Sequence, residues 1–254
     1  MQNITSSDNL KIKHIKKLLA DKKYRETGGE FVVEGYRWIS DALLKFPQYI
    51  TGVFIAESES KLAQYRALLA PLDSEKVYMV SDFIMEKISD TKQPQGIAAV
   101  LKIPPKVEKK KGSRVLYLDS IRDPGNLGTI VRTAAASGYN DIMLDACADA
   151  YNPKVVRSTM GALLSVNILA DSTPEDILNL KQDGFKVFAA KLSGENVFTL
   201  KQKHDKIVLL VGSESVGIRQ ELLDLADFFV TIPMQNNIES LNAAVSAAIL
   251  MYNV

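Results

Sequence analysis

The chain has little of the residue types on which disulfide and metal chemistry depend. Its 254 residues include one cysteine, Cys147, and two histidines. A single cysteine excludes an internal disulfide framework and any site with several cysteine ligands. Two histidines leave few ligands for zinc and few groups for histidine-based catalysis, so we expect no metal site.

Long apolar runs are also lacking. No run near either end approaches the roughly 20 apolar residues that a membrane span needs. The first residues, MQNITSSDNLKIKH, have no apolar core behind a basic segment, as a secretory signal would. Hydrophobic residues make up 46% and charged residues 24%, as in ordinary globular proteins, which argues against disorder, collagen and coiled coil. We therefore expect a soluble, cytoplasmic protein with no membrane partner.

The net charge of +1 hides two basic clusters. Residues 1–25 and residues 102–114 each carry a local charge of +5, so the remainder of the chain is acidic. Clusters of this kind are typical of proteins that bind a phosphate backbone. A solvated helix face followed by a soluble linker would give the same pattern. Charge alone leaves both interpretations open.

A stretch rich in proline and lysine divides the chain. Pro104 and Pro105 disfavour both helix and central strand, and the lysines after them are strongly solvated. We place a first domain at 1–105, a linker at 106–113 and a second domain at 114–254. In the first domain we expect helices over 9–23, 36–46 and 60–70 and strands near 31–35, 50–55, 77–80 and 97–101. These elements predict a small α/β domain.

The second domain alternates more clearly between strands and helices. The apolar run 115–118 is typical of a strand buried on both faces of a parallel sheet. A helix from about Leu127 to Ser137 follows, ended by Gly138. We expect further strands near 141–145, 166–169, 186–190, 206–211 and 228–232, and a final helix over 240–252. This order predicts an open, mostly parallel sheet with helices on both faces, in which ligands bind beyond the carboxyl ends of the strands.

Three loops after predicted strands contain the candidate functional residues. In the first, a tight turn at 123–125 precedes Asn126, a good N-cap for the helix that carries Arg132. In the second, Gly212 and Glu214 follow the apolar run 207–210, without the Walker A or dinucleotide-binding glycine pattern. The third loop follows a strand that ends at Pro233. Ser240 or Asn242 then begins the last helix.

Together and in this order, the loops resemble the SpoU (TrmH-type) RNA ribose methyltransferases of the SPOUT superfamily. The first motif matches as NLGTIVR (126–132), the second as LVGSE (210–214) with Gly217 and Ile218, and the third as IPM (232–234) with SLN (240–242). The segment NPKVVRSTMGA (152–162) is similar to a fourth stretch of the family. The resemblance covers essentially all of 114–254. The first domain, with GEFVVEG (29–35) after a lysine-rich helix, is similar to an RNA-binding domain of the ribosomal protein L30e/L7Ae type.

The resemblance implies S-adenosylmethionine as methyl donor, a ribose 2′-hydroxyl of RNA as acceptor, a homodimer and a trefoil knot near the C-terminus. The cofactor would lie in the knot, held by backbone groups around Gly212, Ile232 and Leu241. The implied catalytic residues are Asn126, Arg132, Glu214, Ser240 and Asn242. Arg132 would stabilise the charge that develops on the ribose oxygen, or act as the base, and the others would orient it or the substrate.

Two questions stay open at this stage. The separate first domain, 1–105, would add a second RNA-binding surface and so favours ribosomal RNA, most specifically 23S, but a transfer RNA substrate or a non-catalytic RNA-binding member of the family is an alternative. A Rossmann nucleotide enzyme is disfavoured because the glycine fingerprint is absent. The family commonly has glycine where this chain has Ser215. If the backbone there needs a positive φ, we expect strain in the second motif.

Overall fold

The computed structural model describes residues 1–105, 112–201 and 203–254, which divide into two units. The first unit contains Met1–Pro105 together with Tyr151–Leu164, and the second contains the described residues of Lys106–Ala150 together with Ser165–Val254. Most of the predicted linker, 106–111, lies outside the described residues. No helix within the described ranges is long and apolar enough to cross a membrane.

The first unit is built around a five-stranded sheet in the order β1-β4-β3-β5-β2. Strand β5 runs antiparallel to both of its neighbours, and the other pairs are parallel. The strands are β1 (Gln2–Ile4), β2 (Glu30–Glu34), β3 (Ile50–Ala56), β4 (Val77–Val80) and β5 (Ile97–Lys102). The helices are α1 (Leu10–Ala20), α2 (Lys22–Gly28), α3 (Tyr36–Lys45), α4 (Glu57–Ser60), α5 (Ala63–Leu69) and α6 (Asp82–Lys87). The four predicted strands are confirmed, and β1 was not predicted.

The predicted helix over 9–23 is wrong in its continuity, because the structure has two helices there. Asp21 has an extended backbone between α1 and α2, and its side chain accepts a hydrogen bond from the Tyr24 amide as the cap of α2. The buried guanidinium of Arg25 then donates to the carbonyl of Leu18. One side chain thus satisfies a carbonyl that the end of α1 leaves without a helical partner.

The segment 151–164, which the predicted second domain included, packs with the first unit in the structure. It contains α8 (Pro153–Ser158), which contacts β2. The buried Trp38 donates through Nε1 to the carbonyl of Val156 at 3.2 Å. Arg157 forms an ion pair with Asp90 at 2.7 Å. These contacts lie 67 and 118 residues apart along the chain, so local sequence patterns do not reveal them.

The second unit contains a six-stranded sheet, entirely parallel, in the order β11-β9-β10-β6-β7-β8. The strands are β6 (Arg114–Asp119), β7 (Asp141–Asp145), β8 (Asn167–Ala170), β9 (Lys186–Asn196), β10 (Ile207–Gly212) and β11 (Phe228–Thr231). The helices are α7 (Pro124–Ser137), α9 (Pro174–Gln182), α10 (Gln220–Leu223) and α11 (Ala243–Asn253). The predicted parallel sheet is confirmed.

Helices cover both faces of this sheet. Val115 and Tyr117 of β6 belong to a buried cluster with residues of α9 and α10. The side chains between them point to the opposite face, because successive strand residues alternate. On that side α11 contacts α7 and β10. Residues 115–119 of strand β6 are therefore buried, as the apolar run predicts.

Gly194 of β9 is required by a close approach of the neighbouring strand. A Cβ atom at this position would lie 2.6 Å from the backbone N of Val230 in β11. We expect Gly194→Ala to lower the free energy of unfolding by roughly 1–3 kcal/mol, because the backbone must shift to admit the methyl group. Urea denaturation measures the change.

Gly28→Ala is the matched control. A Cβ atom at Gly28 would meet nothing within 4 Å, and the residue lies at the end of a helix without a positive φ. We expect no loss of stability for this variant. Equal midpoints for the two variants would contradict the close packing of β9 against β11.

Candidate active site at the carboxyl edge of the second sheet

A cavity of about 330 Å³ opens beyond the carboxyl ends of β10 and β11. Its walls come from β9, the loop after β10, the loop after β11 and the start of α11. The three residues predicted to contact a cofactor, Gly212, Ile232 and Leu241, all line it. Apolar side chains such as Val230 and Leu250 form much of the remaining wall. A concave, largely apolar space of this size suits a small-molecule ligand.

The loop at 213–218 turns back sharply on the end of β10. The amide of Gly217 donates to the carbonyl of Ser213 at 2.9 Å. A Cβ atom at Gly212 would lie 2.2 Å from the carbonyl oxygen of Gly217. Only glycine permits this approach. The loop therefore presents backbone groups, rather than side chains, to the cavity at this point.

The strain expected at Ser215 is absent. Ser215 does not have a positive φ, whereas Gly217, two residues later, has φ +74°. The turn places its left-handed residue at Gly217, where no Cβ penalty arises. A serine in the second motif is thus compatible with the bend of the loop.

Asn126, Glu214 and Asn242 meet in a hydrogen-bonded network beside the cavity. The Glu214 carboxylate oxygen Oε1 accepts from Asn126 Nδ2 at 2.9 Å, from Asn242 Nδ2 at 2.9 Å and from the Ala243 amide at 2.8 Å. Asn242 Nδ2 also donates to Asn126 Oδ1 at 3.0 Å. The three loops singled out in the sequence are joined by these contacts.

The network forms at the N-terminus of α11. Asn242 is the N-cap of the helix, and its Oδ1 accepts from the amides of Ala244 and Val245 at 3.0 and 3.3 Å. The negative charge of Glu214 beside the first helical amides is favourable because the helix dipole is positive there. The prediction that Ser240 or Asn242 begins the helix is confirmed for Asn242.

The prediction that Asn126 caps α7 is wrong. Asp123 is the N-cap, and its side chain accepts from the Asn126 amide at 2.8 Å, with Pro124 at the first helical position. Proline is suited to that position because its missing N–H would have had no partner. Asn126 lies in the first turn instead, which leaves its side chain available to Glu214.

Arg132 lies outside this network. It is exposed on α7, six residues beyond Asn126 or about 9 Å along the helix axis. Its side chain makes no hydrogen bond or ion pair with any residue in the described part of the chain. Ser240 is exposed and lines the cavity. The structure thus brings together three of the five predicted catalytic residues and leaves a free guanidinium on the same helix.

A group of charged residues at the same sheet edge was not predicted from the sequence. Arg219 contacts the carboxylates of Asp119 and Asp145, which end β6 and β7. The hydroxyl of Tyr117 donates to Asp145 at 2.6 Å. Burial, together with this hydrogen bond, raises the pKa of Tyr117 well above its ordinary value. The sequence signal that could have revealed this group is an aspartate at the end of a buried apolar strand. Within the described ranges, no grouping of three or more His, Cys, Asp or Glu side chains could hold a metal ion.

Comparisons with family models match both parts of the chain. A model described as the SpoU rRNA Methylase family matches residues 113–252. A model described as an MRM3-like substrate binding domain matches residues 9–99. The first match contains the residues of the cavity and of the hydrogen-bonded network. The second contains most of the first unit.

Similar proteins are known by sequence and by structure. The 23S rRNA (guanosine(2553)-2'-O)-methyltransferase RlmP of Bacillus subtilis (strain 168) is 34% identical, with 100% of this chain and 99% of the relative covered. The 23S rRNA (uridine(2479)-2'-O)-methyltransferase of Streptomyces viridochromogenes is 28% identical, with 97% and 90% covered. The crystal structure of an AdoMet-bound rRNA methyltransferase from Sinorhizobium meliloti is 28% identical, with a TM-score of 0.83 and 99% and 96% covered. The likeness therefore extends over whole chains.

The contacts of Glu214 predict its contribution to stability. Glu214→Ala removes the acceptor for the two asparagine amides and for the Ala243 amide, which is partly buried. We expect a loss of roughly 1–2 kcal/mol in the free energy of unfolding, comparable to the loss of a helix cap. Chemical denaturation followed by far-UV circular dichroism measures it.

Glu214→Gln is the control for this prediction, since it keeps an oxygen acceptor of the same length but removes the charge. Its loss of stability should be smaller than that of Glu214→Ala. If the alanine variant is as stable as the unchanged protein, these hydrogen bonds do not hold the start of α11.

Proposed function

This chain belongs to the SpoU rRNA methylase family, and from that membership we propose that it transfers a methyl group from S-adenosylmethionine to a ribose 2′-hydroxyl of 23S ribosomal RNA. The observation that carries the proposal is the cavity bordered by the Asn126–Glu214–Asn242 network, in a chain similar over its whole length to the Bacillus subtilis 23S rRNA 2'-O-methyltransferase.

The residues around the cavity fit S-adenosylmethionine. The cavity lies within the size range of small-molecule sites, and Gly212, Ile232 and Leu241 offer backbone groups and apolar walls. The glycine at 212 lets the loop fold close against the end of β10. These three residues would hold the cofactor, whose sulfonium centre supplies an activated methyl group. The AdoMet-bound structure of the Sinorhizobium meliloti relative supports this assignment.

Arg132 is suited to assist the ribose hydroxyl, which is a poor nucleophile. A ribose hydroxyl is scarcely ionised at neutral pH, so its oxygen must be oriented and its developing negative charge stabilised. The Arg132 guanidinium is exposed and makes no bond within the described part of the chain, so it is available to an incoming hydroxyl. We assign it electrostatic stabilisation rather than the role of base, because an arginine keeps its proton near pH 7.

The other polar residues of the site would orient the ribose of the substrate. Glu214 fixes the amide groups of Asn126 and Asn242. Asn126 keeps one Nδ2 hydrogen and one Oδ1 lone pair for the ribose, whereas Asn242 uses all of its hydrogen-bonding capacity within the protein and holds Asn126 and Glu214 in place. Ser240 lines the cavity and would donate its hydroxyl proton to the substrate. Preorganised donors of this kind cost no rearrangement when the reaction occurs.

The first unit would bind the RNA substrate. We infer a domain of the L30e/L7Ae type, on the basis of the match to a substrate-binding domain over residues 9–99. Helix α1 buries Ile12, Ile15 and Leu18 and leaves its lysines on the outer face, where a phosphate backbone can reach them. A separate binding unit favours a structured ribosomal RNA site over transfer RNA.

We also infer a homodimer, a trefoil knot and a cytoplasmic location. The dimer is supported by α11, on which Val245, Ile249 and Tyr252 share one face. The side chains of Val245 and Tyr252 are 48% and 65% exposed. The knot follows from the family resemblance of 114–254, and the location from the proposed ribosomal substrate.

The reaction itself is tested by methyl transfer from labelled S-adenosylmethionine to total RNA that lacks the modification. We expect label at a ribose 2′-oxygen of 23S rRNA. Arg132→Ala should lower kcat by about 10²–10³-fold, the range for removal of one charge-stabilising group, with unchanged affinity for S-adenosylmethionine by calorimetry. Lys186→Ala is the control, since it removes one exposed positive charge at the opposite edge of the same sheet.

Other outcomes would change specific parts of the proposal. Label in the transfer RNA fraction would overturn the choice of substrate and keep the chemistry. Cofactor binding without label in any RNA would point to an assembled particle as the substrate, whereas no cofactor binding at all would favour a non-catalytic RNA-binding protein. Equal activity of Arg132→Ala and Lys186→Ala would remove Arg132 from the mechanism.

The dimer is tested separately by analytical ultracentrifugation. We expect Val245→Asp to convert the dimer to a monomer, because a charge on this face must be desolvated in the interface. Leu178→Asp is the matched control, as Leu178 is 45% exposed on α9 on the other side of the sheet. An unchanged mass for Val245→Asp would place the interface elsewhere.

A further inference from the structure

Arg219 binds the carboxylate of Asp119 with both its main chain and its side chain. The Arg219 amide donates to Asp119 Oδ2 at 2.9 Å, and Nε donates to Oδ1 at 3.0 Å. Nη2 reaches Asp145 Oδ2. The side chain of Asp119 is 1% exposed, whereas that of Arg219 is 38% exposed. A carboxylate buried to this degree needs a counter-charge, and Arg219 supplies it.

Both carboxylates are also held in place by contacts within the sheet that do not involve Arg219. Asp119 and Asp145 are paired residues at the ends of the neighbouring strands β6 and β7. The Ser120 amide donates to the carbonyl of Asp145 at 2.9 Å, and the Tyr117 hydroxyl holds the Asp145 side chain. The two acceptors are therefore held rigidly, and the planar guanidinium matches them as a fork that a lysine could not reproduce.

Asp119 also defines both ends of the cofactor loop, which we define as residues 212–218. The loop leaves the sheet at Gly212, whose partner in the parallel register with β6 is Asp119. It ends one residue before Arg219, whose amide and side chain return to the same Asp119. Both ends of the cofactor loop are thus held at one residue of β6, Asp119.

The cofactor loop buries little apolar surface of its own. Glu214, Ser215, Val216 and Gly217 are all exposed, and Val216 is 76% exposed. Of the later part of the loop, only Ile218 is buried. Because buried apolar area is small, polar contacts must define the conformation. The carboxylate of Glu214 and the backbone around Gly217 depend on that conformation for their positions.

We propose that Arg219 is a positioning residue, which with Asp119 and Asp145 holds the cofactor loop in the shape that binds S-adenosylmethionine and directs Glu214 to Asn126 and Asn242. The identity of the cofactor in this inference rests on the proposed function, whereas the role of Arg219 in holding the loop rests on the contacts of the loop alone. Arg219 touches none of the reacting groups and acts only through the loop that precedes it.

Three variants separate positioning from general stability. Arg219→Met removes the contacts of the guanidinium with Asp119 and Asp145 but leaves Asp119 charged and buried. The double variant Arg219→Met with Asp119→Asn also removes that unpaired charge. Lys181→Met is the control, because the Lys181–Asp227 pair is a similar ion pair, at 2.9 Å, whose carboxylate also accepts a backbone amide, from Val187. It lies at the amino ends of the strands, away from the cofactor loop.

Three measurements are made on each full-length variant. Calorimetry gives the affinity for S-adenosylmethionine, and thermal unfolding is recorded beside it. Amide hydrogen exchange at Gly217 and Ala243 is followed by NMR without cofactor, since these amides donate to Ser213 and Glu214 only when the loop is in place. The exchange rates report on the loop whether or not the cofactor binds.

We expect Arg219→Met to weaken cofactor binding about tenfold or more and to speed exchange at both amides, as for loss of a residue that orients a binding site. The double variant should regain thermal stability but not affinity or slow exchange. Lys181→Met should lose some stability with both loop properties unchanged. Unchanged exchange in Arg219→Met, or recovery of both affinity and exchange in the double variant, would overturn the proposal. If the unchanged protein does not bind S-adenosylmethionine, the proposed function fails, and the exchange rates still decide the role of Arg219.

Discussion

The parallel register between β6 and β10 is the constraint on which the site depends. It places Asp119 opposite Gly212, so the chain leaves two adjacent strands at the same height and at the same edge. The loop after β6 leads into α7 with Asn126 in its first turn, and the loop after β10 carries Glu214. Parallel strands can be joined only by crossovers, which bring residues far apart in sequence to one edge.

Polar contacts then lock these loops together, because they have little apolar surface of their own. Glu214 accepts hydrogen bonds from residues 88 and 28 positions away, Asn126 and Asn242. The acceptor is a charged group at a helix N-terminus, which strengthens each bond. A site built in this way is ordered by its electrostatics while it stays open to solvent, as a site for a large RNA substrate must be.

The sequence predicts those parts of the molecule that depend on local pattern. Buried strands such as β6 can be recognised as apolar runs in the sequence. The motif residues Asn126 and Asn242 were identified by resemblance to the SpoU family. Strand β1 was missed because three residues, QNI, show no alternation. The transfer of 151–164 to the first unit, and the pairing of Arg219 with Asp119 across 100 residues, depend on tertiary contacts that no local pattern encodes.

The corrected cap of α7 has a mechanistic consequence. Had Asn126 capped the helix, its side chain would have been occupied by the backbone amides of its own first turn. Because Asp123 takes that role, Asn126 is free to bind Glu214, and α7 is tied at its start to the loop that borders the cavity. Arg132 lies further along the same rigid helix. The contact at Asn126 therefore fixes where the backbone of Arg132 lies relative to that loop, although Arg132 itself bonds to no member of the network.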